Sequence, residues 1–269
     1  MASKAAQLVT VTFKNHVSKH RGATGKVATV TVNNERRLNV MNSALMKDFI
    51  KTFQDLSMDP ELRCVVLTGA GNKSFIGGAD ISEMYQKDQD GAEAFIRQVS
   101  KCADVIRKTP VPVIGRVNGW CLGAGLEVAA ACDFRISADT GTFGMPEVRV
   151  GLPSVVEACL LPDLIGWGRT RYLLLVGDNL PASTMQQWGF LENVVPLSKL
   201  DDAVNDCLDG IVASGPRAVK LQKELITKWE RASSREAATE AGAIQFRRAY
   251  ETKEPQEYMD VTFFKRNKL

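Results

Sequence analysis

Two glutamates and two glycine-bearing turns hold the groups in this chain that could do chemistry. Cys121-Leu-Gly-Ala-Gly-Leu-Glu127-Val-Ala-Ala-Ala-Cys132-Asp133 places Glu127 inside a run that otherwise reads as a buried helix. Burying a carboxylate costs several kcal/mol unless something compensates, so its presence needs a reason. As a first-turn residue it gains about 0.3–1 kcal/mol from the helix dipole, and stabilising its own helix is one sufficient role. The helix begins at Gly123-Ala-Gly125, where unpaired amides point outward. Glu147 lies in Gly141-Thr-Phe-Gly-Met-Pro-Glu147-Val-Arg-Val-Gly151, a loop where a solvated glutamate would be ordinary. Phe75-Ile-Gly-Gly-Ala-Asp-Ile81 carries adjacent glycines, which allow a sharp turn and close approach to a ligand. Amides converging at such a loop can hold an anion or a developing oxyanion, although a plain Gly-Gly turn has the same sequence.

The elements that would position these segments alternate between strand and helix. Leu8–Phe13 and Lys26–Val32 form a hairpin, Asn42–Ser57 a helix and Arg63–Thr68 a buried strand. A helix from Gly91 to Lys108 follows, then a strand from Pro110 towards Asn118, the Glu127 helix, and a strand over Asp133–Ser137. From Gly166 the pattern becomes almost wholly helical, with candidate helices Arg169–Leu174, Pro181–Trp188, Lys199–Ala213, Pro216–Arg231 and Ser234–Tyr250. This predicts an α/β core over residues 1–195 and a helical C-terminal region over 196–269.

Composition narrows the chemistry. The chain has 269 residues, 45% hydrophobic and 24% charged, with a net charge of +3. It has no apolar run long enough to span a bilayer and no concentrated basic stripe for nucleic acid, while an anionic small molecule remains compatible. Six cysteines without a CxxC pair read as buried reduced thiols. The only histidines, His16 and His20, sit together near the N-terminus, which argues against Ser-His-Asp, Cys-His and His-rich metal sites. Acid–base work therefore falls to carboxylates, lysines, tyrosines or cysteines. The first 34 residues lack Asp and Glu, but the hairpin pattern there argues against a cleaved leader. Asn267-Lys268-Leu269 is a weak relative of a peroxisomal address; cytoplasmic residence is the default expectation.

Together the segments resemble the crotonase, or enoyl-CoA hydratase/isomerase, superfamily. Arg36-Arg-Leu-Asn-Val-Met-Asn42 is similar to K-A-L-N-A-L-N, and Phe75–Glu83 to F-x-A-G-A-D-I-x-E. Val111–Asp133 is similar to P-V-I-A-A-V-N-G-x-x-x-G-G-G-x-E-L-A-x-x-C-D, and Phe143–Gly151 to F-G-x-P-E-x-x-x-G. The resemblance implies a ββα spiral core with a helical C-terminal trimerisation region, assembled as a homotrimer or a hexamer of paired trimers. It implies an acyl-CoA thioester substrate with no metal and no further cofactor. The Ala79 and Ala124 amides would polarise the thioester carbonyl, supported by Gly78 and Gly123.

Glu127 and Glu147 match the two glutamates of the hydratase branch, Glu127 activating water and Glu147 protonating Cα. The resemblance thus implies hydration of a trans-2-enoyl-CoA in fatty-acid β-oxidation-type chemistry. An isomerase or another reaction on a specialised acyl-CoA is the alternative, and a non-catalytic scaffold or RNA-binding protein the third class. Arg36, Arg37, Lys265 and Arg266 are candidates for the coenzyme phosphates, with Asp80, Ile81 and Ser154 bordering the substrate. One segment departs from the family pattern: Leu152-Pro-Ser-Val-Val-Glu-Ala-Cys159 stands where I-P-G-x-G-G-T-Q-R is usual and is one residue shorter. Ser154 replaces a glycine whose amide helps hold the water. Glu157 reads either as a third pocket carboxylate or as a glutamate near a helix start.

Overall fold

The structure, a computed structural model, describes residues 7–264. The antiparallel hairpin β1 (Val9–Val17) and β2 (Thr24–Val32) leads, through a 3-10 turn at Glu35–Arg37, into α1 (Ser43–Ser57). Three units of like form follow. β3 (Leu62–Gly69) and β4 (Ser74–Ile76) lead to α2 (Ile81–Met84) and α3 (Gln89–Lys108). β5 (Val113–Val117) and β6 (Trp120–Leu122) lead to α4 (Ala124–Ala130), and β7 (Phe134–Ala138) and β8 (Thr142–Gly144) to a 3-10 turn at Pro146–Val150. The first strands of the units lie side by side in a parallel array, β3-β5-β7, within a six-stranded sheet. The second strands, β4-β6-β8, lie side by side and parallel in a smaller sheet. This is the ββα spiral.

Period-two alternation explains how one sheet serves two cores. From β3, Val65 and Leu67 face the core shared with α1, α3 and the small sheet, while Cys64 and Val66 face the other side. That second face is covered by α8 (Leu200–Ala213) through Leu200, Val204, Leu208 and Val212. The domain boundary expected at residue 195 thus coincides with the end of a strand, and the first long helix beyond it packs on the sheet. α1 shows why the helices sit where they do: Asn42 caps its Leu45 N–H at 2.9 Å, and Leu45, Met46, Phe49, Phe53 and Leu56 form its buried stripe.

α5 (Leu161–Ile165) lies just before Gly166, and α6 (Trp167–Val176), α7 (Ala182–Gln187), α9 (Pro216–Glu230), α10 (Arg235–Ala249) and α11 (Glu254–Met259) lie beyond it. Two short strands are the exceptions to the almost wholly helical pattern expected of this region. β9 (Asn179–Pro181) edges the small sheet antiparallel to β8, and β10 (Asn193–Val195) edges the large one parallel to β7. Three residues are too few to display an alternation. Four cysteines are buried and free as expected, but Cys207 is half-buried and Cys159 is exposed.

The passage from large to small sheet is fixed by Asn118, which is fully buried. Its Nδ2 donates to the Gly69 and Gly71 carbonyls at 2.9 and 2.6 Å, while its Oδ1 accepts from Gly69 N–H at 3.3 Å. Truncation strands the N–H and C=O of buried Gly69 and leaves the Gly71 carbonyl to solvent. Asn118→Ala should lower unfolding free energy by about 2–3 kcal/mol, read as a lower urea midpoint at unchanged slope; an unmoved midpoint would show that the clamp does not matter.

Candidate active site

The three sequence segments meet because each leaves the carboxyl end of a strand in the parallel β4-β6-β8 array. Gly77–Ala79 follow β4, Gly123 follows β6, and the Pro146–Val150 turn follows β8. Strand carboxyl ends are where ligands bind in open parallel sheets. Here they border a cavity of about 280 Å³ lined by Ala79, Ala124, Glu127 and Glu147, with Met84, Ile96, Leu152 and Val155 among its apolar walls. That volume is at the low end for small-molecule sites.

Ala79 is turned by its pairing. It forms a parallel bridge with Met41 in which Met41 N–H donates to Gly78 O at 2.9 Å and Asp80 N–H to Met41 O at 3.0 Å. The flanking groups therefore make the bridge, and the Ala79 amide faces the opposite way. On the other side, Gly123 N–H donates to Gly144 O, and the Gly123 carbonyl accepts from Leu126 and Glu127. Among the described residues neither the Ala79 nor the Ala124 N–H has a backbone acceptor. Two glycines are obligatory here. Gly123 sits at φ +49°, and a methyl on it would run into the Glu147 carboxylate. A methyl on Gly125 would run into the Ile76 carbonyl, so glycine alone lets α4 lie against β4.

Glu127 is buried, 3% exposed. Its carboxyl is pushed up to about 8, first by burial, then by the negative charges of Glu147 and Glu157. The Ala158 N–H donates to its Oε1 at 3.3 Å and opposes the rise. Glu147 is half-buried, and Ser154 Oγ donates to its Oε2 at 2.7 Å. The departure at Ser154 thus supplies a hydroxyl to one of the two carboxylates. Val156 adopts φ +42°, a left-handed conformation costing a β-branched residue about 1–3 kcal/mol. It opens the 3-10 turn Val156–Leu160, which delivers the Ala158 amide to Glu127.

The remaining candidate residues divide. Gly78, Ile81 and Gly123 line the cavity. Asp80 and Arg37 are engaged with each other at 2.7 Å, and Asp80 caps α2 by accepting from Ser82 N–H at 3.0 Å. Their demonstrable work is holding the Ala79 loop, not facing the cavity. Ser154 reaches the site only through Glu147, and Arg36 is exposed on the surface. Lys265, Arg266 and the tripeptide 267–269 lie outside the described residues. Sequence reasoning missed Ser100 of α3, whose hydroxyl donates to Glu157 Oε1 at 2.9 Å; nothing in its own surroundings marked it.

The spiral of ββα units with a cavity at its inner strand ends defines a crotonase-type protein. The sequence matches the enoyl-CoA hydratase/isomerase family over residues 22–267, and the chain belongs to that family. It is 37% identical over 205 residues to a short-chain-enoyl-CoA hydratase of Clostridium acetobutylicum, covering 76% of this chain and 78% of that protein. It is 33% identical over 199 residues to a crotonyl-CoA hydratase of Syntrophomonas wolfei, covering 74% and 76%. Among solved structures, an enoyl-CoA hydratase from Bacillus anthracis superposes with a TM-score of 0.88 at 27% identity over 97% of both chains.

The raised Glu127 carboxyl has a consequence for stability. Between the ordinary carboxylate value of about 4.3 and about 8, the unfolded chain has lost a proton that the folded chain keeps. Stability therefore falls as pH rises through that window. Glu127→Gln removes the penalty, so its melting temperature should gain on wild type by a few degrees between pH 5 and pH 8. Parallel melting curves across the window would contradict the assignment.

Proposed function

We propose that the protein adds water across a short trans-2-enoyl-CoA thioester to give the 3-hydroxyacyl-CoA, and catalyses the reverse dehydration. The observation that carries this is the meeting of Glu127 and Glu147 on one cavity whose wall includes two unpaired amides, Ala79 and Ala124. The thioester oxygen accepts from both amides. Water loses a proton to one carboxylate as its oxygen bonds Cβ, and the double-bond electrons pass through Cα to the thioester oxygen. The other glutamate then protonates Cα. Fixed donors suit this reaction because charge develops on that oxygen only during the step; losing one such donor costs about 2.7–4 kcal/mol.

The proton inventory refines the roles. At neutral pH burial leaves a proton on Glu127, so it can take the proton of water only once its own has passed to Glu147. The pair works as one unit carrying one proton. The apolar walls and small volume favour a short acyl chain. For the coenzyme phosphates, Arg36 is the described cation still in play. The exposed apolar side chains Trp167, Tyr172, Leu175 and Val176 on α6, with Phe246, Phe263 and Phe264 near the C-terminus, are the surface on which self-association into trimers or hexamers would rest.

Loss of the conjugated enoyl absorbance measures the reaction, and product analysis separates a 3-hydroxyacyl ester from a shifted double bond. Glu127→Gln and Glu147→Gln should each lower kcat by about 10²–10⁴ while thioester binding persists. Near wild-type rates in either would refute the paired mechanism. For wild type, kcat/KM should fall as pH rises through about 8, where the pair's proton is lost, and a flat profile from pH 7 to 9.5 would exclude this account.

A further inference from the structure

A third carboxyl stands beneath the cavity without lining it. Glu157 lies in the Val156–Leu160 turn, which packs on both α3 and α4. Its Oε1 accepts from Ser100 Oγ at 2.9 Å. Its Oε2 is shielded from solvent with no hydrogen-bond partner among the described residues. The next amide in the chain, Ala158 N–H, is the donor to Glu127 Oε1. Facing Glu157 are Ser100, Cys102, Asp104 and Arg107 of α3, Glu127 of α4, and Cys159 of its own turn. Arg107, the cation of that set, is paired with Glu230 at 2.6 Å. Among the described residues none sets a positive charge against Glu157 alone, and a carboxyl desolvated on one oxygen is costly to keep as a mere spacer.

We infer that Glu157 is a positioning residue for the chemistry of Glu127: anchored on Ser100, it seats the turn whose amide holds Glu127 and sets a third carboxyl against that side chain. It touches no substrate and acts through Glu127. When ionised, Glu157 makes ionisation of Glu127 harder, in the same direction as burial and Glu147, and burial pushes the Glu157 carboxyl itself up. The left-handed Val156 is the backbone feature that allows this placement, since it turns the chain into the 3-10 helix one residue before Glu157. The inference rests on the reading of Glu127 as the proton-carrying member of the pair.

Glu157→Gln removes the charge while keeping size and an acceptor for Ser100. In protein carrying ¹³C-labelled glutamate, the Glu127 carboxyl resonance is identified by its loss in Glu127→Gln and then titrated. In Glu157→Gln its midpoint should drop by about half a pH unit or more, with the alkaline limb of hydration moving down alike. Glu157→Asp should return part of the shift. Ser100→Ala keeps the charge but frees the anchor, and should lower kcat severalfold at unchanged KM. An unmoved Glu127 midpoint in a Glu157→Gln protein with a native circular-dichroism melt would overturn the electrostatic role. Unchanged kcat in Ser100→Ala would overturn the anchoring role. The titration needs no turnover: a shifted midpoint without hydration sinks the proposed reaction alone, and hydration without a shift sinks this inference alone.

Discussion

The site depends on one desolvated carboxyl. Glu127 is held in a place where ionising it is expensive, with a single backbone amide as its hydrogen-bond compensation. The chain accepts that cost by surrounding the group with constraints that leave it no alternative position. Gly125 brings α4 against the backbone of β4, Gly123 leaves room for Glu147, and a left-handed valine turns the next segment back beneath the pair. Each feature is unfavourable or neutral for folding taken alone. Together they leave a carboxyl pushed up to about 8, where an exposed glutamate would lose its proton several pH units lower.

The scaffold that bears this strain is repetitive in structure. Three successive units each cross from the large sheet to the small one, so three consecutive loops open at the same edge. Asn118 and Asn39 make the crossings rigid by satisfying carbonyls that the strands leave over. Asn39 Nδ2 donates to Ala70 and Ser74 at 3.0 and 2.8 Å. Rigidity at the crossings matters because Ala79 and Ala124 belong to different units, and their relative placement is only as good as the register of β4 against β6.

Much of this was legible in the residues. The hairpin, the long amphipathic helices α1, α3, α8, α9 and α10, and the buried strands of the large sheet are long enough to display their period. The motifs around Gly78, Gly123, Glu127 and Glu147 named residues that the fold brings to one cavity. Asp80 and Arg37 were legible as conspicuous charges, but not as partners, because 43 residues separate them. The strands β4, β6, β8, β9 and β10 were not legible as a sheet or as edges, since each has three residues, too few to display an alternation.

By itself, the sequence determined which chemical groups exist and which local turns are permitted: glycine where the backbone must go left-handed or lie close, and glutamates at two of those turns. Only the tertiary structure decided what those groups are worth. A carboxyl's proton affinity is set by burial and by charges from distant segments, and Glu147 and Glu157 reach Glu127 across 20 and 30 residues of chain. Glu157 shows the difference most sharply. In sequence it opens a helical turn; in space it accepts a hydrogen bond from Ser100, on a helix 57 residues earlier. Spacing along a chain carries no information about such fields, because they fall off with distance through the folded protein.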